Sequence, residues 1–375
     1  MSATTPTSIH DPINAAILAV SEDCIQGFHP QPLHEIARLS QVPLETVTAR
    51  IQAMLQGGTI RRVRQTLLAT NLAKGALVAW QVPEENLTTA FDFMFQKDPF
   101  SGHVVIRSTD RQTTGSIYRL WTTLKVPQGF SLEKHANWLQ QQVGAISYRL
   151  MPAKRLFTLG VGHVRRRGME PGSKAETPAE VTDTEIVELS PLDWQVLVPL
   201  KREFKPEEIV PDLWRARAEE AGVDYETFLR VGRSLQERAV IGRFSTFLEH
   251  VKATGEGERV TRYNALFHWA VPPGREIEAG REVGRFDIMT HAYWREGGPE
   301  FANVNIMGVA HGMEKEKVLA HKNAIDQHLA EMGIPVGYTN VFWGGRSEIK
   351  PSEIAPQAYL AFCRDNGIDP EIMHD

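Results

Sequence analysis

The sequence predicts an α+β protein made of two tandem copies of one unit, each an N-terminal winged helix-turn-helix followed by a ferredoxin-like βαββαβ domain. Three observations predict it. The order of apolar patterns repeats after about 184 residues, a domain-sized period that makes a duplication the first thing to consider. Within each copy, short helical patterns give way to segments whose periodicity alternates between 2 and 3.6. Between the copies, RRRGMEPGSKAETPAEVTDTE at 165–185 is rich in Pro, Gly, Ser, Thr and charge and poor in apolar residues, as a linker is. The implied division is a winged helix at 1–70, a sheet domain at 71–164, the linker at 165–185, a second winged helix at 186–252, and a second sheet domain with a C-terminal tail at 253–375.

The first copy opens with INAAILAVSEDCIQG and PLHEIARLSQ, two short helical patterns, then a tight turn at Val42-Pro43. The longer stretch LETVTARIQAMLQGG ends in the glycines that suit a helix C-terminus. TIRRVRQTLLA follows, alternating like a hairpin. In the second copy LDWQVLVPLKREF, EEIVPDLWRARAEEAG, VDYETFLRVGRSLQER and AVIGRFSTFLEH come in the same order, which is the plan of a winged helix-turn-helix. Downstream, GALVAWQVP reads as a strand, EENLTTAFDFMFQ as a helix, HVVIRST and SIYRLWTTLKV as strands, SLEKHANWLQQQV as a helix and ISYRLMPAKRLFTL as the last strand. Its counterpart gives RYNALFHWAVP, a helix near 274–283, RFDIMTHAY, FANVNIMGVA, EKEKVLAHKNAIDQHLAEMG and VGYTNVFW. Strand–helix–strand–strand–helix–strand is the ferredoxin-like order.

Composition narrows the function classes. Of 375 residues, 42% are hydrophobic and 23% charged, ordinary for a globular chain of two or more domains. Only Cys24 and Cys363 occur, which rules out a disulfide scaffold and a cysteine-rich zinc or iron–sulfur site and fits a reducing compartment. No apolar run reaches the roughly 18 residues of a membrane span, and MSATTPTSIHDP lacks the regions of a signal peptide. A soluble, cytoplasmic protein with no membrane partner is expected. The net charge of −5 hides an asymmetry: residues 1–170 carry 18 Lys and Arg against 12 Asp and Glu, and residues 171–375 carry 23 against 34. The basic half can meet an anionic ligand or the acidic half itself.

Winged helices suggest DNA, but the recognition stretch Leu44 to Gln56 holds one basic residue, Arg50, and in copy two Arg230, Arg233 and Arg238 are offset by Asp224, Glu226 and Glu237. Duplex binding needs a basic footprint there, so nucleic acid is not expected as a partner. Basic residues gather elsewhere: Arg61, Arg62 and Arg64 after the first recognition helix, Arg107 and Arg111 along the second strand of the sheet, and Arg119 on the next. Guanidinium groups grip carboxylates with paired hydrogen bonds, so the set suits a polycarboxylate or phosphate. In copy two, His291, Tyr293 and Arg295 alternate to one face of a strand, joining an acid/base group, a phenol and a fixed cation. His268 and His311 on flanking strands are weaker candidates, and His321 and His328 are expected on a helix surface. The sequence shows no Gly-rich phosphate loop, no nucleophile elbow and no strong metal motif. No cofactor-binding or metal residues are assigned, which leaves cofactor-free acid/base chemistry or plain binding.

These residues resemble the AsnC/Lrp group of regulators and, within it, the sirohaem decarboxylases of alternative haem and haem d1 biosynthesis. The family pattern I-R-R matches Ile60-Arg61-Arg62 and, in part, Ile241-Gly242-Arg243. A strand pattern S/T-H-N-Y-x-R matches Thr290-His291-Ala292-Tyr293-Trp294-Arg295 with Ala292 for Asn, and Y-N-L-W matches Tyr118-Arg119-Leu120-Trp121 with Arg119 for Asn. The resemblance spans nearly the whole chain and implies a fused form of a two-subunit enzyme, its halves pairing as an intramolecular pseudo-dimer, with further dimerisation open. It implies sirohaem as substrate, its iron arriving with it, and removal of carbon dioxide from two acetate side chains to give 12,18-didecarboxysirohaem. Arg61, Arg62, Arg107, Arg111, Tyr118, Arg243 and Arg295 would bind substrate, His291 would donate the proton, and Tyr293 would orient or relay it. Aligning Arg111 with Arg295 sets Arg107 opposite His291 and Thr109 opposite Tyr293, so copy one is expected to lack the histidine. A DNA-binding regulator with a small-molecule effector, and a tetrapyrrole-binding protein without turnover, are the alternatives.

Overall fold

The computed structural model describes residues 5–160, 162–166, 168–183, 185–250, 252–255 and 257–375, the side chain of residue 165 excepted. Helix α1 (Pro12–Ser21) begins where the Asp11 carboxylate accepts from the amides of Ile13 and Asn14, satisfying donors that have no partner inside the helix. The short strand β1 (Ile25–Gln26) leads to α2 (Pro32–Ser40), α3 (Leu44–Gln56) and β2 (Ile60–Leu67). Then come β3 (Ala73–Gln81), α4 (Leu87–Gln96), β4 (Ser101–Thr109), β5 (Leu120–Pro127), α5 (Leu132–Val143), β6 (Ser147–Pro152) and β7 (Arg155–Leu159). After the four-residue helix α6 (His163–Arg166), the second half runs α7 (Pro191–Lys201), α8 (Leu213–Ala221), α9 (Tyr225–Glu237), β8 (Ile241–Leu248), β9 (Tyr263–Ala270), α10 (Glu276–Gly284), β10 (Met289–Trp294), β11 (Ile306–Gly312), α11 (Lys315–Glu331), β12 (Tyr338–Ile349) and α12 (Pro356–Asp365). The chain is thus mixed α/β, and its sheets are antiparallel.

Two compact units result. The first gathers Met1–Asn71, Val161–Gly168 and Val187–Arg262. Its three-stranded sheet has the order β1-β8-β2. The stretch TIRRVRQTLLA alternates like a hairpin, yet β2 is one uninterrupted strand that pairs with β8, Val63 opposite Thr246 and Arg64 opposite Ser245. The physical reason lies in Ile60–Leu67: this stretch holds no Gly, Pro, Asn or Asp to make a turn. Ile17, Leu33, Ile51 and Met54 fill the core beneath the first three helices, and Trp214 packs against Phe28, Phe204, Phe228 and Phe244 among the later ones.

The second unit comprises Leu72–Gly160, Met169–Ile186 and Tyr263–Asp375. Its nine strands run β6-β3-β5-β4-β12-β9-β11-β10-β7. The strand–helix–strand–strand–helix–strand order occurs twice, and the halves interlock: β12 pairs with β4, and β7 pairs with β10. Alternation assigns the faces. Val78, Trp80, Val104 and Leu120 pack with α4 and α5 residues Phe91 and Leu139, and Phe267, Trp269, Ile306 and Ala292 pack with α10 and α11 residues Val283 and Ile325. Their neighbours Ala79, Val105, Trp121, Leu266 and Met307 point the other way and form a third cluster with Phe301 and Phe342. We call this the inner face.

Three details depart from the sequence reading. The last strand of copy one breaks at Ala153-Lys154 into β6 and β7. Ala302 and Asn303 adopt left-handed backbone, with φ of 52° and 54°, and lie in the turn before β11. The C-terminal tail contains α12, whose Tyr359, Phe362 and Cys363 join the core beneath α4 and α5. The segment read as a linker lies along copy two: Ser173 Oγ donates to Asp287 (2.6 Å) and Lys174 Nζ bonds His328 Nδ1 (2.8 Å). Residues 167 and 184 of that segment fall outside the described residues. No described helix is long and apolar enough to cross a membrane.

Candidate functional site

Strand β10 sends Ala292 into the helix-side core and His291, Tyr293 and Arg295 to the inner face. The three are neighbours in space. The rings of His291 and Tyr293 lie nearly parallel with centroids 6.0 Å apart, and the Arg295 guanidinium sits 4.4 Å from the centre of the Tyr293 ring. Arg295 Nη1 donates to the Met151 carbonyl (2.5 Å), and Thr290 Oγ1 lies 3.1 Å from His291 Nδ1. Burial pushes the Tyr293 phenol up in pKa, and Arg295 opposes the shift. Burial likewise lowers Arg295, with Tyr293 opposing. A phenol kept protonated beside a fixed cation can donate a hydrogen bond, and a histidine next to it can exchange a proton.

Strand pairing corrects the alignment of the copies. Trp80 pairs with Leu120, and Trp269 with Ile306. The Arg107 amide donates to the Arg119 carbonyl (2.7 Å), and the Arg295 amide to Asn305 (3.1 Å). Arg107 is therefore the counterpart of Arg295. His103, opposite Thr123, corresponds to His291, opposite Val309, and Val105 corresponds to Tyr293. Copy one keeps a histidine and lacks the tyrosine. His103 Nε2 is 2.8 Å from Ser347 Oγ. The misalignment followed from matching Arg to Arg by chain distance, where only hydrogen-bond register distinguishes Arg107 from Arg111.

The other expected ligand contacts divide. Arg107 is buried, its Nη1 donating to Asn264 Oδ1 (3.3 Å) and the Phe342 carbonyl (3.2 Å). Arg111 is exposed, 5.7 Å from the Tyr338 ring centre. Tyr118 is buried against Phe301, its hydroxyl accepting from Ser147 Oγ (3.3 Å). Arg119 is held by Glu84 (3.1 Å). His321 and His328 are both buried, contrary to expectation, because α11 turns them toward the protein: His328 Nε2 lies 2.6 Å from Glu282.

The first unit holds its own cationic group. Arg62, Arg64 and Arg243 all approach the Phe247 ring, at 5.8, 5.6 and 5.8 Å, and Arg61 lies on the same strand as Arg62 and Arg64. Burial pushes Arg61 and Arg64 down to about 10. Arg62 pairs with Glu203 (3.2 Å) and Arg243 Nε reaches the Glu22 carbonyl (3.3 Å), while Arg61 Nε and Arg64 Nε are buried without a hydrogen-bond partner. Guanidinium groups crowded so closely favour an anion. By contrast Arg50, on α3, is engaged by Asp11 (3.0 Å).

Glu22 beside this group carries a pH signature. Its buried carboxyl accepts from the Val164 amide (2.8 Å), and burial raises its pKa to about 8. A raised carboxyl favours the folded state while protonated, so this contribution is lost as pH rises from its ordinary range, about 4.5, toward about 8. Glu22→Gln is expected to remove that decline and to be more stable than the parent at pH 8. Urea midpoints at pH 5 and pH 8 test it, and an equal decline in both proteins would rule the assignment out.

Comparison with known proteins gives first a class. Residues 72–158 match the family of AsnC-like ligand-binding domains. More particular likenesses follow. Over 102 residues, 27% of this chain, the sequence is 28% identical to the sirohaem decarboxylase beta subunit of Oleidesulfovibrio alaskensis, and the match spans 61% of that subunit's length. In fold, the chain is similar to the crystal structure of the sirohaem decarboxylase NirDL, with a TM-score of 0.65 and 17% identity over 95% of this chain and 98% of that one. The same protein in complex with an iron-uroporphyrin III analogue gives 0.64, with 17% identity over 94% and 99%.

Proposed function

We propose that this chain is a cytoplasmic sirohaem decarboxylase, a carboxy-lyase that converts sirohaem to 12,18-didecarboxysirohaem on the way to haem or haem d1. The observation that carries the reading is the His291, Tyr293, Arg295 triplet, gathered on one face of a fold that resembles a sirohaem decarboxylase along 95% of the chain. Each step breaks the bond between the acetate methylene and its carboxylate, releases carbon dioxide and leaves an electron pair on the carbon. His291 delivers the proton that turns that carbon into a methyl group, and Tyr293 orients or relays it. The substrate's carboxylates call for fixed cations, a role suited to Arg107, Arg111 and Arg295 in the second unit, where Tyr118 would add a hydroxyl contact, and to Arg61, Arg62 and Arg243 in the first. The protein supplies no cofactor of its own in this reading, and the iron belongs to the substrate.

We further read the chain as two tandem copies of a winged helix and a ferredoxin-like domain acting as an intramolecular pseudo-dimer. The twofold recurrence of the strand and helix order, and the reciprocal pairing of β12 with β4 and β7 with β10, support this. Anaerobic incubation of the purified protein with sirohaem, followed by mass spectrometry of the tetrapyrrole, is expected to show loss of two carbon dioxide units. Binding without mass loss would make the protein a carrier instead. Absence of any spectral change, together with salt-dependent binding of duplex DNA, would make it a regulator.

A further inference from the structure

Two polar groups on the inner face of the second unit are buried without the partners their chemistry requires. Arg107 is 4% exposed; its Nη1 donates to Asn264 and to the Phe342 carbonyl, but its Nε has no hydrogen-bond partner and no carboxylate among the described residues offsets its burial. Burial alone pushes its pKa down to about 10. A buried guanidinium without a counter-charge is costly, and structures retain one where an anion comes to meet it. The second group is His268 on β9, which has no exposed surface and whose two ring nitrogens both lack a partner.

The two belong to one locus. Arg107 donates to the Phe342 carbonyl, and the Phe342 ring lies 4.8 Å from the imidazole of His268. Burial, together with the positive charge of Arg107, lowers the pKa of His268 to about 3. The imidazole is thus neutral at physiological pH and has one N–H to donate. A histidine retained only to fill the core would be better replaced by an apolar ring, because unsatisfied buried nitrogens carry their full desolvation cost.

Aromatic rings enclose His268. His268 is ringed by Trp121, Phe301 and Phe342. Phe301 belongs to the turn before β11, in which Gly298, Ala302 and Asn303 all have positive φ, at 74°, 52° and 54°. Two successive non-glycine residues in left-handed backbone store strain in the turn that holds Phe301. Copy two alone carries the device, since β3 has Ala79 at the position of His268.

We propose that Arg107 and His268 form a buried carboxylate subsite on the inner face, with Phe301 as its cover. One carboxylate oxygen accepts from Arg107 Nε and the other from the His268 N–H, so that each buried donor gains an acceptor. The carboxylate chemistry follows from these two residues, and only the identity of the carboxylate's owner, a tetrapyrrole acetate or propionate, rests on the function proposed above.

The test compares the parent with His268→Phe and His268→Gln in thermal unfolding, with and without sodium acetate, and in absorbance titration with iron-uroporphyrin as an octacarboxylate probe. His268→Phe is expected to raise the unfolding midpoint, to abolish protection by acetate and to weaken porphyrin binding at least tenfold. His268→Gln, which keeps a donor, recovers part of the binding. Equal porphyrin affinity in all three proteins would overturn the subsite and leave the tetrapyrrole reading standing. Protection by acetate that depends on His268, without any porphyrin binding, would uphold the subsite and overturn the tetrapyrrole reading. Failure of both probes on the parent protein would overturn both.

Discussion

Replacing His291 with alanine is expected to lower the rate of carbon dioxide release by roughly 10²–10⁴-fold, the range over which a positioned proton donor acts, while the affinity for an octacarboxylate porphyrin stays within about twofold of the parent, since no binding charge is removed. The expectation follows from the roles proposed for one strand. Arg295 is a permanent cation fixed by the Met151 carbonyl, so it serves binding, while His291 can pass a proton at neutral pH. Tyr293 stands between them, 6.0 Å from the histidine ring and 4.4 Å from the guanidinium carbon. Tyr293→Phe keeps the packing and removes the hydroxyl, so its rate loss should be smaller than that of His291→Ala. Single-turnover measurements separate the chemical step from binding. A His291→Ala protein that binds porphyrin normally and decarboxylates at the parental rate would remove this residue from the mechanism.

The same strand shows how far the sequence could be read. That His291, Tyr293 and Arg295 share a face was legible, because side chains alternate along any strand. Their counterparts in copy one were not, because correspondence between the halves is decided by which amide meets which carbonyl. Arg107 and Arg111 both stand near the end of β4, and only the bond from the Arg107 amide to Arg119 singles out the first. His103 is hidden for that reason: a histidine followed four residues later by arginine recurs at both sites, but the tyrosine that marks His291 is Val105 in copy one. The paired wings were hidden differently. The strand pattern of Ile60–Leu67 was visible, whereas its partner, β8, lies some 180 residues away, and periodicity carries no information about partners. His268 looked ordinary in sequence because its two unpartnered nitrogens emerge only once the aromatic residues around it are in place.

Replacing Asp98 with alanine is expected to cost the second unit about 3–5 kcal/mol, the usual consequence of leaving one member of a buried pair without its partner. Asp98 and His135 have no exposed side-chain surface; Asp98 Oδ1 lies 3.2 Å from His135 Nε2, and His135 Nδ1 lies 3.0 Å from the hydroxyl of Tyr359. The chain of three ties α5 to α12 in the C-terminal tail, and Tyr359 also stacks on Phe130 with ring centres 4.2 Å apart. The pair adds a pH signature opposite to that of Glu22. Burial acts to raise the Asp98 carboxyl, but His135 and the Phe100 amide outweigh it and hold the pKa below its ordinary value of 3.8. A depressed carboxyl stabilises the fold above its unfolded pKa, and this contribution disappears as pH falls through the lower, folded value. Asp98→Ala should therefore shift the denaturation midpoint strongly at neutral pH and less in acid, where the parent has already lost part of the pair. Because the residues act as one unit, Asp98→Ala combined with His135→Phe should cost less than the two single changes added together, as a double-mutant cycle on the unfolding free energy would show. Strict additivity would mean that the two side chains stabilise the core separately, and that packing alone holds α12 in place.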